Sequence, residues 1–105
     1  MDLRQLASAL SAFAVHSPTH WPNHFSQLFL AVAEHQPATF RELGDVLGLS
    51  NSAISRTVAA LGDTNRKGAD GFGLVAVAPD PYEGRRLIVT LTPKGEALKR
   101  QLLLL

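Results

Sequence analysis

The stretch TFRELGDVLGLSNSAISRTVAAL, residues 39–61, constrains the fold more than any other part of the chain. Thr39 with Glu42 three residues on is a capping box, in which each side chain satisfies the other's free backbone amide. Phe40, Leu43, Val46 and Leu47 then share one helical face, and Gly48 closes the run. Ser50 caps a second helix, where Ile54, Val58 and Leu61 recur at i, i+4 and i+7 and point inward together, with Gly62 as the stop. Helices this short are marginal by themselves, so both must bury their apolar faces on a shared core. The pattern over 39–62 therefore predicts two short helices joined by a tight glycine turn.

The flanking sequence predicts three further helices and a hairpin. Leu3, Leu6, Leu10 and Phe13 predict a first helix over 1–14, which HSPTHWPNH ends. Pro22 suits the first turn of a second helix continuing through Phe25, Leu28, Phe29 and Val32 and stopping before Pro37. After Gly62 comes the glycine-rich loop DTNRKGADGFG, then LVAVA and RLIVTL, two strands around the turn PDPYEG that span 74–92. Leu87, Val89 and Leu91 alternate and share a face. Thr92 and Pro93 begin a last helix over 93–105, carrying Leu98, Gln101 and Leu102. The 105 residues fit one domain, mainly α with a small β-hairpin.

Composition narrows the function. The chain has no cysteine, so a reducing compartment is permitted and no disulfide framework is available. The run QLASALSAFAV is interrupted by Ser8 and Ser11 and preceded by Asp2, which argues against a secretion signal; no stretch approaches the roughly 20 apolar residues of a membrane span. A cytoplasmic protein with no membrane partner is expected. Residues 1–49 carry two basic and four acidic side chains, and residues 50–105 eight basic and five acidic, so positive charge gathers in the second half. His16, His20 and His24 recur at spacings of four, but Pro18 and Pro22 break the helix that would gather them, and no cysteine or close carboxylate completes a ligand set. No metal and no cofactor is expected. Neither a nucleophile with its base nor a carboxylate pair in a cleft is legible, so no catalytic residue is expected and the chain reads as a non-enzyme.

Two consecutive short helices around a glycine turn form the helix-turn-helix pattern, whose second helix lies in a DNA major groove; an adjacent basic hairpin makes it a winged helix. With Ile54, Val58 and Leu61 turned inward, the outer face presents Ser52, Arg56 and the small Ala59 and Ala60, with Asn51 and Ser55 beside it. Small residues permit close approach to DNA, and Asn, Ser and Arg offer hydrogen bonds to base edges. A solvated helix face carries the same residue types, so the two readings stand together at this point.

From Trp21 to Leu98 the sequence resembles the MarR family of winged-helix transcription regulators. FRELGDVLGLSNSAISRTVAAL is similar to its helix-turn-helix, and EGRRLIVTLTPKG to its wing pattern DxRxxxVxLT followed shortly by KG. Thr92, Lys94 and Gly95 match the start of the next helix, and Glu83 stands where the family usually has Asp. The resemblance implies that Arg85 is the wing arginine reaching a minor groove, with Glu83 as its positioner; Arg86, without such a match, is read as a phosphate contact. It also implies a homodimer built from the terminal helices, 1–14 and 93–105, where an exposed Leu3/Leu6/Leu10/Phe13 stripe and the leucine tail 102–105 both want burial. Family members are usually longer there, and many form a small-ligand pocket between dimerisation and DNA-binding parts. In its compactness and in the 63–73 insertion the chain looks like versions carried by bacteriophages. Arg66 and Lys67 in that insertion either add backbone contacts or belong to a solvated loop.

The expectation is a sequence-specific double-stranded DNA-binding regulator, a repressor by default, contacting DNA through Asn51, Ser52, Ser55, Arg56, Arg66, Lys67, Arg85 and Arg86. The competing expectation is a winged-helix module that binds a transcription protein instead, which the near-neutral charge and the single arginine on the second helix favour.

Overall fold

In the computed structural model, which describes residues 2–16, 20–62 and 71–105, the helix pair is built as its caps dictate. Helix α3 (Phe40–Leu47) starts where the Thr39 hydroxyl accepts from the Glu42 N–H at 3.1 Å and Glu42 Oε1 accepts from the Thr39 N–H at 3.0 Å. It stops at Gly48, whose φ of 67° lies in the left-handed region that glycine enters without a Cβ clash. Ser50 then caps α4 (Asn51–Leu61) by accepting from the Ala53 N–H at 3.2 Å. Leu43, Ile54 and Leu61 have no exposed surface and Val58 almost none, so the two inward faces meet as expected. Val46 departs from that expectation: it is 53% exposed, because the buried stripe of α3 is one residue wide at Leu43 with Phe40 and Leu47 on its shoulders.

Helix α1 (Leu3–Ala14) opens with a capping box between Asp2 and Gln5, and α2 (Asn23–His35) follows Pro22, which sits at the N-cap rather than inside the first turn. Phe29, Leu28 and Val32 of α2 are fully buried and form the centre of the core. Phe13 of α1 meets Phe29 edge-on at 5.6 Å and stacks on Trp21 at 5.8 Å. The rest of the α1 stripe turns outward: Leu3, Leu6 and Leu10 are 85, 44 and 50% exposed, and α1 buries Ala9, Ala12 and Phe13 instead.

The sheet has three strands where the sequence suggests two. β1 (Ala38–Thr39) lies against β3 (Leu87–Leu91), which also pairs with β2 (Val75–Pro79), all antiparallel in the order β1-β3-β2. A two-residue strand that doubles as a helix cap leaves no alternating pattern to read. Its partner register, Ala38 opposite Val89 and Thr39 opposite Ile88, ties the start of α3 to the hairpin. Val89 and Leu91 face the core, whereas Leu87, near the turn, is 46% exposed.

Helix α5 (Pro93–Leu103) begins at Thr92, whose hydroxyl accepts from the Gly95 N–H and donates to the Gly73 carbonyl. Gln36 joins three elements at once. Its Oε1 accepts from the Leu91 N–H at 2.8 Å and its Nε2 donates to Glu96 at 2.9 Å, binding the end of α2 to β3 and α5. Gln36→Ala would strand a part-buried strand amide, and a loss of about 1–2 kcal/mol in urea unfolding is expected.

Candidate nucleic-acid interface

The exposed face of α4 is short and polar. Asn51, Ser52, Ser55 and Arg56 are exposed, Ala59 and Ala60 half-buried, and Thr57 on the inner side donates its hydroxyl to the Ala53 carbonyl at 2.8 Å. The N-terminus of α4 shares a depression of about 540 Å³ with the hairpin, lined by Arg41, Asn51, Arg86 and Leu87 among others. A second hollow of about 380 Å³ places His24 of α2 beside Arg56. One side of the molecule thus carries Arg56, Asn51, Arg41 and the β2–β3 turn in sequence.

That turn is ordered by Asp80. Asp80 Oδ1 accepts from the Tyr82 N–H at 2.9 Å, and Oδ2 accepts from Arg86 Nη2 at 2.8 Å and Nε at 3.2 Å. Glu83 lies farther, 3.6 Å from Arg86 Nη2. The Tyr82 amide first, and then the Arg86 guanidinium, hold the Asp80 carboxyl below the usual carboxylate range, while Asp80 and Glu83 raise Arg86 further. The carboxylate that fixes the turn is therefore Asp80, and the arginine it holds is Arg86. The family resemblance implies that Glu83 positions Arg85; the geometry instead sets Glu83 against Arg86, with Asp80 nearer to the same guanidinium. None of the ion pairs among the described residues involves Arg85, Arg56 or Arg41. Arg66 and Lys67 lie outside the described residues.

Arg41 is the residue the sequence reading missed. In sequence it is one arginine inside a capping box; only the β1–β3 pairing places it between α4 and the hairpin. Glu42 on the same turn has a lowered pKa, chiefly through the Thr39 amide and then the Thr39 hydroxyl, so its charge is spent on the helix cap. Asp45 also borders Arg41 and partly offsets its charge.

No group of three or more potential metal ligands occurs among the described residues. His16 packs against Trp21 at 6.1 Å, and burial, followed by Lys94, lowers its pKa. No described helix is long and apolar enough to cross a membrane.

Two short helices, the second with an exposed polar face, and a hairpin carrying Arg85 and Arg86 at its tip and tied to the first define a winged helix-turn-helix. No protein-family model and no curated protein sequence matches the chain. Solved structures are similar. The transcriptional regulator BldR from Sulfolobus solfataricus is 31% identical over 74% of this chain and 49% of its own, with a TM-score of 0.56. PcaV from Streptomyces coelicolor, in complex with its natural ligand, is 27% identical over 97% of this chain and 73% of its own, with a TM-score of 0.63. A mutant of MarR from E. coli complexed with operator DNA is 21% identical over 97% of this chain and 76% of its own, with a TM-score of 0.66. The chain spans about half the length of BldR and about three quarters of the other two. By fold it is a MarR-like winged helix.

Proposed function

We propose that this chain is a cytoplasmic, sequence-specific double-stranded DNA-binding transcription regulator that acts without catalysis, as a homodimer and by default as a repressor. The observation that carries the reading is the exposed polar face of α4, Asn51, Ser52, Ser55 and Arg56, whose first residue shares one depression with Arg41 and with Arg86 of the β2–β3 turn. That shape matches a helix in a major groove with a wing in the flanking minor groove. Similarity of fold to a protein solved on operator DNA supports it. Arg56 and Asn51 would read base edges, Arg85 would enter the minor groove, and Arg41 would meet a phosphate. Arg86, clasped by Asp80, contributes its remaining donors to the backbone while holding the turn.

The dimer reading draws on exposed apolar side chains at both terminal helices. Leu3, Leu6 and Leu10 on α1, and Leu103, Leu104 and Leu105 at the end of α5, are all exposed, and α1 touches α5. Such a surface gains free energy when a second copy covers it. Two copies related by a twofold axis would read half-sites about one helical turn, or roughly 10 base pairs, apart.

Selection of bound duplexes from a random library tests the proposal: enrichment of a near-palindrome is expected, and no enrichment with no retention at low salt would favour a protein partner. Two substitutions separate the roles within the site. Arg41→Ala should flatten the dependence of log affinity on log salt by about one phosphate contact and leave the preferred sequence unchanged. Arg56→Ala should instead change the preferred bases, with the melting temperature unaffected in both.

A further inference from the structure

The chain contains seven Phe, Trp and Tyr residues, and six of them are buried in or packed against the core. The seventh, Tyr82, is 97% exposed. Exposure alone would be unremarkable, since single apolar groups are common on surfaces. Its setting is different, because the segment that carries it is held in place.

The tip of the hairpin consists of two successive turns. The Glu83 N–H donates to the Asp80 carbonyl at 3.3 Å, closing a turn with Pro81 and Tyr82 at its corner. The Arg86 N–H donates to the Glu83 carbonyl at 3.0 Å, closing a second with Gly84 and Arg85 at its corner. Tyr82 and Arg85 therefore occupy the same position, the third residue, of consecutive turns. Proline at the first corner and the Asp80 bond to the Tyr82 N–H fix the backbone beneath the ring. A Cβ added at Gly84, between the two, would meet nothing within 4 Å, so the space around the tip is open. A fold gains nothing from presenting a tyrosine ring to water on an ordered turn, whereas an interface gains from a ring whose ordering cost is already met.

We infer that Tyr82 is a further DNA-contacting residue of the hairpin tip, packing its ring on the sugar wall of the minor groove that Arg85 enters. The inference rests on the proposed DNA-binding function. Chemistry favours this occupant: Arg85 occupies the equivalent corner of the adjoining turn with no carboxylate paired to it among the described residues, and a groove about 6 Å wide admits one arginine chain and leaves its neighbour on the rim. The contact is apolar, so it adds affinity without adding a released counterion.

Tyr82 is the chain's one tyrosine and the chain has no cysteine, so tetranitromethane modifies a single phenol and reports on it directly. With the duplex enriched from a random library, DNA is expected to suppress nitration of Tyr82. Tyr82→Ala should lose about 5- to 30-fold in affinity, the size of an interface aromatic, with an unchanged salt dependence and melting temperature. Tyr82→Phe, which keeps the ring, should hold the affinity. Unchanged affinity in Tyr82→Ala together with unprotected nitration, while Arg85→Ala weakens binding, would overturn the inference and leave the DNA-binding function standing. A Tyr82→Phe variant as weak as Tyr82→Ala would overturn the ring contact. Failure of the wild-type chain to retain any duplex at low salt would overturn the proposed function itself, and the inference with it.

Discussion

Phe29→Ala is expected to lower the free energy of unfolding by about 3–5 kcal/mol, the range for deleting a fully buried aromatic ring and leaving a cavity. Phe29 is fully buried and is the largest of the side chains with no exposed surface. Its ring also forms the edge-on pair with Phe13, which adds a specific contact to the area buried. The site cannot easily collapse, because its neighbours Leu28 and Val32 are held in the same helix and are themselves buried. For a domain whose total stability falls within about 5–15 kcal/mol, that loss removes a large share of it. Urea unfolding followed by far-UV circular dichroism measures it, and a shift below about 1 kcal/mol would mean that α1 does not pack on α2 as described.

The order of helices, the glycine turn and the wing hairpin were legible because each has a local cause. Thr39, Ser50 and Thr92 are caps that announce themselves by residue type and spacing, and the structure uses all three. What was not legible depends on contacts distant in sequence. β1 is two residues long and exists only because β3 pairs with it, and Gln36 reaches Leu91 and Glu96, 55 and 60 residues away. Leu3, Leu6 and Leu10 lie outward, as expected of a stripe that awaits a partner, yet Phe13 of the same stripe is buried, since periodicity marks a face and not what covers each residue. At the site, the exposed face of α4 was predictable from its inward residues. The pairing of Arg86 with Asp80 was not: Asp80 and Glu83 are acidic residues in one turn, both reach Arg86, and only the backbone path makes Asp80 the closer. Arg41 illustrates the same limit, because its place beside Asn51 and Arg86 is set by the strand pairing and not by its own helix.

Arg85→Ala is expected to weaken DNA binding by about 1–3 kcal/mol, the value of a groove contact, and to leave the melting temperature unchanged. Asp80→Ala tests the clasp behind it by the sign of its effect. Removing one carboxylate from a turn that holds two carboxylates and two arginines leaves it net positive, and electrostatics alone would then strengthen binding to a polyanion. The same substitution, however, takes away the acceptor of the Tyr82 N–H and of the Arg86 guanidinium, and so releases the backbone that aims Arg85. Asp80 itself is only 7% exposed, but its turn faces solvent, so the gain from one charge acting on DNA is small and screened by salt, whereas a loosened tip must be ordered again on binding. Asp80→Ala should therefore bind about 3- to 10-fold more weakly than wild type, on the scale of ordering a few exposed side chains. Acid should act in the same direction. The Asp80 carboxyl is depressed in the folded chain, so its stabilising effect is complete above the unfolded carboxylate pKa of about 4 and is lost as pH falls through the lower folded value. Glu42 is depressed as well and follows the same course at the α3 cap. Through this clasp, affinity should not vary from about pH 6 to 8 and should decline only in acid below the ordinary carboxylate range. Fluorescence anisotropy with a labelled duplex over that range measures both effects, and tighter binding by Asp80→Ala would show that the turn is ordered without its clasp.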